Sequence, residues 1–209
     1  MKTKGAKSSG HQEKRSALLR ACRARLAARD LPLPSMRELA AAAGVTVPTL
    51  RHYFGRREDL IVALLQELRR EGEFYLARTR VTDKPFDESI TSLVGALSLG
   101  LAAGLSEIHA LGLREGLRHG RLGPAYLDQV LEPTVLAIED RLAIHQARGE
   151  MRVADTRVAA LALLSPLVIA HFHQNELGGV DTRRLDFETF ANEHVSAFLR
   201  AYRAEKALQ

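Results

Sequence analysis

The sequence predicts an all-α protein in which a three-helix N-terminal head is joined by a long helix to a larger helical body, about nine helices in all. Three observations predict it. Apolar residues recur three and four positions apart along most of the chain, and no segment alternates apolar with polar as a half-buried strand would. Helix caps and Gly or Pro turn signals separate the periodic stretches. Basic charge is concentrated at one end: residues 1–60 hold 13 Lys/Arg against 5 Asp/Glu, net +8, and the remainder holds 17 against 20, net −3. A basic head on a slightly acidic body points to a polyanion-binding module carried by a module with another task.

The 209 residues, 46% hydrophobic and 26% charged, fit a globular chain with a sizeable core. Cys22 is the single cysteine, so no internal disulfide forms and no CxxC metal spacing exists. The basic, polar N-terminus has no apolar signal segment, and the expected compartment is the cytoplasm. Residues 89–106 and 158–175 carry no charge over 18 positions, but Thr91, Ser92, Ser98, Pro166, His171, His173 and Gln174 interrupt them. Core helices are expected there, with no membrane partner.

From the N-terminus, residues 1–14 (MKTKGAKSSGHQEK) read as a flexible basic arm. Residues 15–29 place Leu18, Leu19, Cys22 and Leu26 on one face of a first helix, which DLPLPS ends, since Pro32 and Pro34 cannot continue it. Ser35 with Glu38 has the spacing of a capping box opening a second helix, MRELAAAA, which stops at Gly44, a residue suited to the left-handed turn. Thr46 caps a third helix, Thr46 to Tyr53, whose first turn tolerates Pro48. Ala40 is small enough for a close helix crossing and Leu50 apolar enough to lock the third helix inward, which makes this a helix-turn-helix.

The segment ELAAAAGVTVPTLRHYFGRREDL carries a further signal. Residues 18–63 resemble the DNA-binding domain of the TetR/AcrR family of bacterial transcriptional regulators. Ala40, Ala43, Gly44, Val45, Thr49, Leu50, Phe54 and Leu60 stand where that pattern expects them. Arg51 stands in place of the usual Tyr, Tyr53 of His, Arg57 of Lys, Asp30 of Gly, and Arg25 of an apolar residue. The resemblance implies a homodimeric regulator with a double-stranded operator as partner.

An exposed recognition helix fits the major groove with its first residues toward base edges. Val47 and Pro48 suit a thymine methyl, Thr49 and His52 a base or phosphate, and Arg51 either a guanine held by two hydrogen bonds or a phosphate. The resemblance puts Arg57 on a phosphate at the start of helix four, where free amides and the helix dipole favour an anion. The candidate DNA-binding residues are Ser35, Thr46, Val47, Pro48, Thr49, Arg51, His52, Tyr53 and Arg57.

Beyond the helix-turn-helix domain, 15–62, helix four spans about 56–80 and VTDKPFD marks the boundary of an effector-binding and dimerisation domain, 84–209. Its helices are expected at 86–103, 105–118, 124–148, 155–177 and 186–206. The resemblance implies a pocket for a small-molecule effector among the first three. His109, His145 and His171 are candidate ligand-binding groups, with satisfied histidines of core or surface as the alternative. It also implies a dimer interface from the last two helices, with Leu164, Leu167, Val168, Phe172, Phe190, His194 and Phe198 as candidates.

Motifs for catalysis are missing: the chain has no GxSxG, Walker loop, HExxH or Glu-x-x-His. No catalytic residue, metal site or cofactor is therefore expected. The expected function is sequence-specific transcriptional regulation, as a repressor released from a palindromic operator by an effector. A non-specific, nucleoid-type DNA-binding protein is the rival, marked by a steep salt dependence without sequence preference.

Overall fold

The computed structural model describes residues 4–28 and 33–205, with side chains from residue 10 onward. Lys2, Lys4 and Lys7 of the expected arm, as side chains, and Arg29, Asp30 and Pro32 of the expected helix break lie outside the described residues. The described residues are helical, with no β-strand among them and one isolated antiparallel bridge, Met151 with Arg203. They divide into two compact units. Unit 1 is Met1–Glu71 with Leu111–Gln129, and unit 2 is Gly72–Ala110 with Val130–Gln209.

Unit 1 is built on α1 (Lys4–Ala27), α2 (Met36–Ala42), α3 (Val47–Phe54) and the first half of α4 (Arg57–Arg80). The apolar stripe of α1, Leu18, Leu19, Cys22 and Leu26, is buried together with Leu39, Ala40, Leu50, Phe54, Leu60, Ile61, Leu64 and Leu65. Burial pushes the Cys22 thiol up to about 11, which makes it a small core hydrophobe. The expected flexible arm is instead helical from Lys4. Gln12, Glu13, Lys14 and Arg15 are good helix formers that carry α1 outward past Gly10, and the contacts of His11 and Arg15 described below hold that extension.

Unit 1 also takes in the last turns of α6 (Ser106–Gly116) and the start of α7 (122–147). The domain boundary expected near residue 84 thus differs from the one observed, which cuts α4 at Glu71 and returns 111–129 to the head. Glu115, Arg114 and Arg121 of that segment bond to Arg57, Leu26 O and Asp59 of the head, and the segment is itself closely packed. The Tyr126 ring covers Gly112, where an added Cβ would fall 2.1 Å from a ring carbon, and the backbone of Gly116 lies against Gly123.

Unit 2 holds the end of α4, α5 (Phe86–Gly100), the first turn of α6, most of α7, α8 (Thr156–Glu176) and α9 (Phe187–Tyr202). Between α5 and α6 the chain kinks at Gly104, φ 110°, a conformation open to glycine. The expected break between 103 and 105 is therefore where the sequence placed its turn signal. A wide π-type turn, Leu127–Leu131, precedes Pro133, whose missing amide cannot continue a regular ladder.

The two uncharged stretches lie in helices long and apolar enough to cross a membrane, Phe86–Gly116 and Thr156–Glu176. Their apolar stripes, Ile90, Leu93, Val94 and Leu101 on one and Leu163, Leu164, Leu167 and Val168 on the other, form the core of unit 2 with Val135, Ile138, Leu142 and Phe198. Arg141 is buried among them. Its guanidinium donates to the carbonyls of Arg78, Thr79 and Val81 and to Ser89 Oγ, at 2.6–3.1 Å, and so closes the C-terminal end of α4.

Candidate DNA-binding site

Local chemistry shapes the turn that presents α3. Ser35 Oγ accepts from the Glu38 amide while the Glu38 carboxylate accepts from the Ser35 amide, closing the capping box. The Ser35 amide foremost, then the Ser35 hydroxyl and Arg25, all donating to the Glu38 carboxylate, hold that carboxyl down at about 2. At the far end of α2 the Val45 amide reaches Ala40 O and the Gly44 amide reaches Ala41 O, with Gly44 at φ 64°. This is a Schellman turn, and it sets the crossing of α2 and α3. Thr46 Oγ1 then accepts from the Thr49 amide at 3.3 Å and begins α3.

Leu50 and Phe54 anchor α3 inward, which leaves Thr46, Pro48, Arg51 and His52 exposed and Val47, Thr49 and Tyr53 half-buried. The Thr46 and Thr49 hydroxyls lie 2.9 Å apart in one hydrogen bond. His11 of α1 stacks on Tyr53, and the Arg15 guanidinium lies 5.2 Å from the centre of the Phe54 ring. Both contacts tie the N-terminal extension of α1 to the recognition helix, and neither was visible in the sequence.

Ser35 lies at the edge of this face with its hydroxyl already committed to the capping box. A cleft of about 530 Å³ beside it is lined by Met36, Arg51, Gly55, Arg56, Arg57 and Glu58. Gly55, φ 79°, turns the chain into α4, and Asp59 accepts from the Arg56 amide at 3.1 Å to cap it.

Arg57, expected on a phosphate, is engaged within its own chain. Its Nη1 and Nη2 donate to the two Glu115 oxygens at 2.9 and 2.7 Å, and its Nε donates to Pro34 O at 2.8 Å. Every guanidinium nitrogen therefore has an internal partner. The Glu115 side chain is 1% exposed. Burial alone would raise its pKa, but the hydrogen bonds and charge of Arg57 outweigh burial and hold it below the usual carboxylate value, while Glu115 raises that of Arg57. Beside it, Arg114 donates to Leu26 O at 3.1 Å, and Arg121 pairs with Asp59 at 3.2 Å. One signal for Glu115 lay in the sequence: a carboxylate in the last turn of a helix opposes the dipole and needs a cation.

The three candidate effector histidines lie in unit 2, each in its own setting. His109 is buried, which pulls its imidazole down to about 4. His171 is buried against the Phe187 ring with Nδ1 3.2 Å from Asn175 Nδ2 and no hydrogen-bond partner for Nε2; burial lowers its pKa, partly offset by Glu107. His145 is enclosed, with Nδ1 2.6 Å from Glu150 Oε2 and its ring at the edge of Phe86.

Of the expected dimer residues, Leu164, Leu167, Val168 and Phe198 point into the core of their own chain, each no more than 8% exposed. α8 is apolar nearly all round, and its inner side, with Leu164, Leu167 and Val168, is used by α5, α7 and α9, while Phe198 of α9 packs into the same core. Phe172, Phe190 and His194 are half-buried, with His194 Nε2 2.9 Å from Leu163 O. The side of α8 left outward carries Val158, Ala162, Ser165 and Ile169.

A capped helix-turn-helix that presents an arginine and a histidine on an exposed second helix, joined to an all-helical body, defines a DNA-binding regulator. Residues 18–64 match the family described as bacterial regulatory proteins, tetR family, and residues 97–204 match the C-terminal domain of AefR-like transcriptional repressors. The chain belongs to the TetR family of transcriptional regulators.

Solved structures share the fold across nearly their whole length. A TetR-family regulator from Mesorhizobium loti is 20% identical, with a TM-score of 0.74 over 93% of this chain and 98% of its own. FadR from Bacillus subtilis in complex with stearoyl-CoA is 16% identical, with a TM-score of 0.69 over 88% and 96%. AibR in complex with isovaleryl coenzyme A and operator DNA is 22% identical, with a TM-score of 0.66 over 88% and 97%. No curated protein matches the chain.

Proposed function

We propose that this TetR-family regulator is a homodimeric repressor that reads a palindromic operator through Arg51 and leaves it when a small molecule binds unit 2. One observation carries the reading of DNA. Arg51 is exposed on a helix capped at its start by Thr46 and fixed inward by Leu50 and Phe54, so its fork is free to meet a base edge. Val47 and Pro48 offer methyl-sized apolar contacts beside it, and His52 a hydrogen bond. Thr49 keeps part of its hydrogen-bonding capacity after pairing with Thr46. The amides at the start of α4 supply a phosphate anchor in place of the Arg57 side chain.

The dimer is supported by the outward stripe Val158, Ala162, Ser165 and Ile169, where small residues allow two helices to approach and Val and Ile supply apolar area. The half-buried Phe172, Phe190 and His194 adjoin it. A twofold arrangement sets two recognition helices on one face of the duplex, about one helical turn apart or a multiple of it. The effector reading is supported by His171, whose buried Nε2 has no hydrogen-bond partner among the described residues. Acyl-CoA thioesters, held by two of the structural neighbours, are the first ligands to try. As a DNA-binding regulator, the protein is placed in the cytoplasm on this reading, with no membrane partner.

Selection of bound sequences from random DNA tests the reading, with wild type and Arg51→Ala titrated at two salt concentrations. An enriched palindrome is expected, and the variant should lose about 1–3 kcal/mol of discrimination at one or two base pairs. Equal weakening on all sequences would assign Arg51 to phosphate. Tight binding without enrichment, fading steeply with salt, would establish the non-specific rival.

A further inference from the structure

We infer that Glu115 is an electrostatic brake on the DNA-binding head: it cancels the charge of Arg57 and so withholds from the DNA backbone the arginine that stands at the phosphate position of the family pattern. The inference rests on the DNA-binding reading above and adds to it a limit on sequence-independent affinity.

The contacts lie wholly within unit 1. The Glu115 carboxylate takes Nη1 and Nη2 of Arg57 at 2.9 and 2.7 Å, and Nε donates to Pro34 O. Three of the five N–H groups are thereby held, two of them in the planar fork that fixes an arginine's direction. Arg57 is nonetheless close to the proposed DNA-contacting face. It lines the same cleft as Arg51 and Arg56, and it begins α4, where free amides and the helix dipole favour a phosphate. An arginine there that met no carboxylate would add its full charge to that face.

The neutralising charge belongs to Glu115 in particular. Its side chain is 1% exposed, and the hydrogen bonds and charge of Arg57 keep it ionised against the cost of burial. Arg114, also near, donates to Leu26 O, and His119 Nε2 is 4.0 Å from the carboxylate, so Arg57 is the cation that Glu115 grips directly. A phosphate contact carries no sequence information. A free Arg57 would tighten the hold on every duplex alike and strengthen the competition from non-operator DNA. Neutralised, it leaves recognition to Arg51 and its neighbours on α3. A pair that served folding alone would leave the salt dependence of binding unchanged.

The test measures binding of the full-length protein to a labelled duplex of mixed sequence across a salt series. Wild type is compared with Glu115→Gln and with the double variant Arg57→Gln/Glu115→Gln. Glutamine keeps the size of Glu115 and can still accept from Arg57, but it cancels no charge. Glu115→Gln should bind about tenfold more tightly than wild type at low salt, and the slope of log affinity against log salt should steepen by about 0.9 per protomer, the increment of one phosphate contact. The double variant, with neither charge, should return to the wild-type affinity and slope. Damage to the head cannot imitate a gain of this kind.

A folded Glu115→Gln with the affinity and slope of wild type overturns the inference, and so does one that binds more weakly. A double variant that keeps the gain overturns it too, because the effect then does not run through Arg57. If circular dichroism shows that Glu115→Gln does not fold, the double variant decides: a wild-type slope supports the inference, and a slope shallower by about 0.9 means that Arg57 already holds a phosphate and overturns it. Failure of both variants to fold overturns it as well, because the pair is then a requirement of the fold. If wild type binds no duplex at any salt, the DNA-binding reading itself fails first, before any variant is compared.

Discussion

His11 and Tyr53 lie face to face, their ring centroids 4.8 Å apart and their planes 21° from parallel. The contact joins the N-terminal extension of α1 to the recognition helix across residues far apart in sequence. Stacked aromatic pairs contribute about 0.5–1.5 kcal/mol beyond area burial. His11→Ala should therefore lower stability by about that much in urea unfolding of the isolated protein. Tyr53→Phe keeps the ring and should change stability by less, and a double-mutant cycle between the two positions reads the coupling directly.

Arg141 gives a larger expected effect. It satisfies three carbonyls at the end of α4 and one serine hydroxyl from a buried position. Arg141→Met should leave those acceptors without partners and cost about 3 kcal/mol, read as a fall in the urea midpoint. Arg141→Lys should recover little, because an ammonium at the end of a flexible stem cannot reproduce the fork.

Gly112 has no room for a side chain. An added Cβ would meet the Tyr126 ring at 2.1 Å, so Gly112→Ala should cost about 1–3 kcal/mol through overpacking. Tyr126→Leu in the same chain should return part of that loss. A thermal-unfolding cycle of the single and double variants measures the non-additivity.

Acid should destabilise unit 2 through His109. Burial holds its native pKa at about 4, below the 6.5 of an unfolded histidine, so the unfolded chain binds more protons between those values. The stability associated with neutral His109 is complete above pH 6.5 and is lost as pH falls toward 4, by up to about 3 kcal/mol. His109→Leu should flatten that part of the curve of unfolding free energy against pH. An unchanged slope would show that His109 does not titrate in this window.

The caps and turns were legible because each is written within a few residues. Ser35 with Glu38, Gly44, and Thr46 before Pro48 carry their geometry locally, and the helix boundaries of α2 and α3 follow from them. The kink at Gly104 was legible for the same reason. Arg57 and Glu115 are 58 residues apart, and although the place of Glu115 in a last turn calls for a cation, nothing near it says which one. The family pattern therefore speaks only of phosphate for Arg57, while the folded chain also engages three of its five N–H donors internally. On α8 the opposite difficulty arose. Apolar residues on nearly every side gave periodicity no contrast, so it did not separate Leu164, Leu167 and Val168, buried in their own core, from the outward Val158 and Ile169. The exposed face of α3 was readable, because a short amphipathic helix with Leu50 and Phe54 inward has one orientation.

Cys22, finally, bears on how the two heads of the proposed dimer can be observed. The chain has this one thiol, and it is wholly enclosed, with Sγ 3.7 Å from Leu39 O and too weakly acidic to supply thiolate near neutral pH. A maleimide dye or nitroxide will leave it untouched in the folded protein. A cysteine introduced at an exposed position such as Gln12 or Ala41 will take the label alone, with no need to remove the native one. Paired spin or fluorescence labels on a dimer then give head-to-head distances in solution from a background-free protein, and late reaction of Cys22 itself serves as a clock for unfolding.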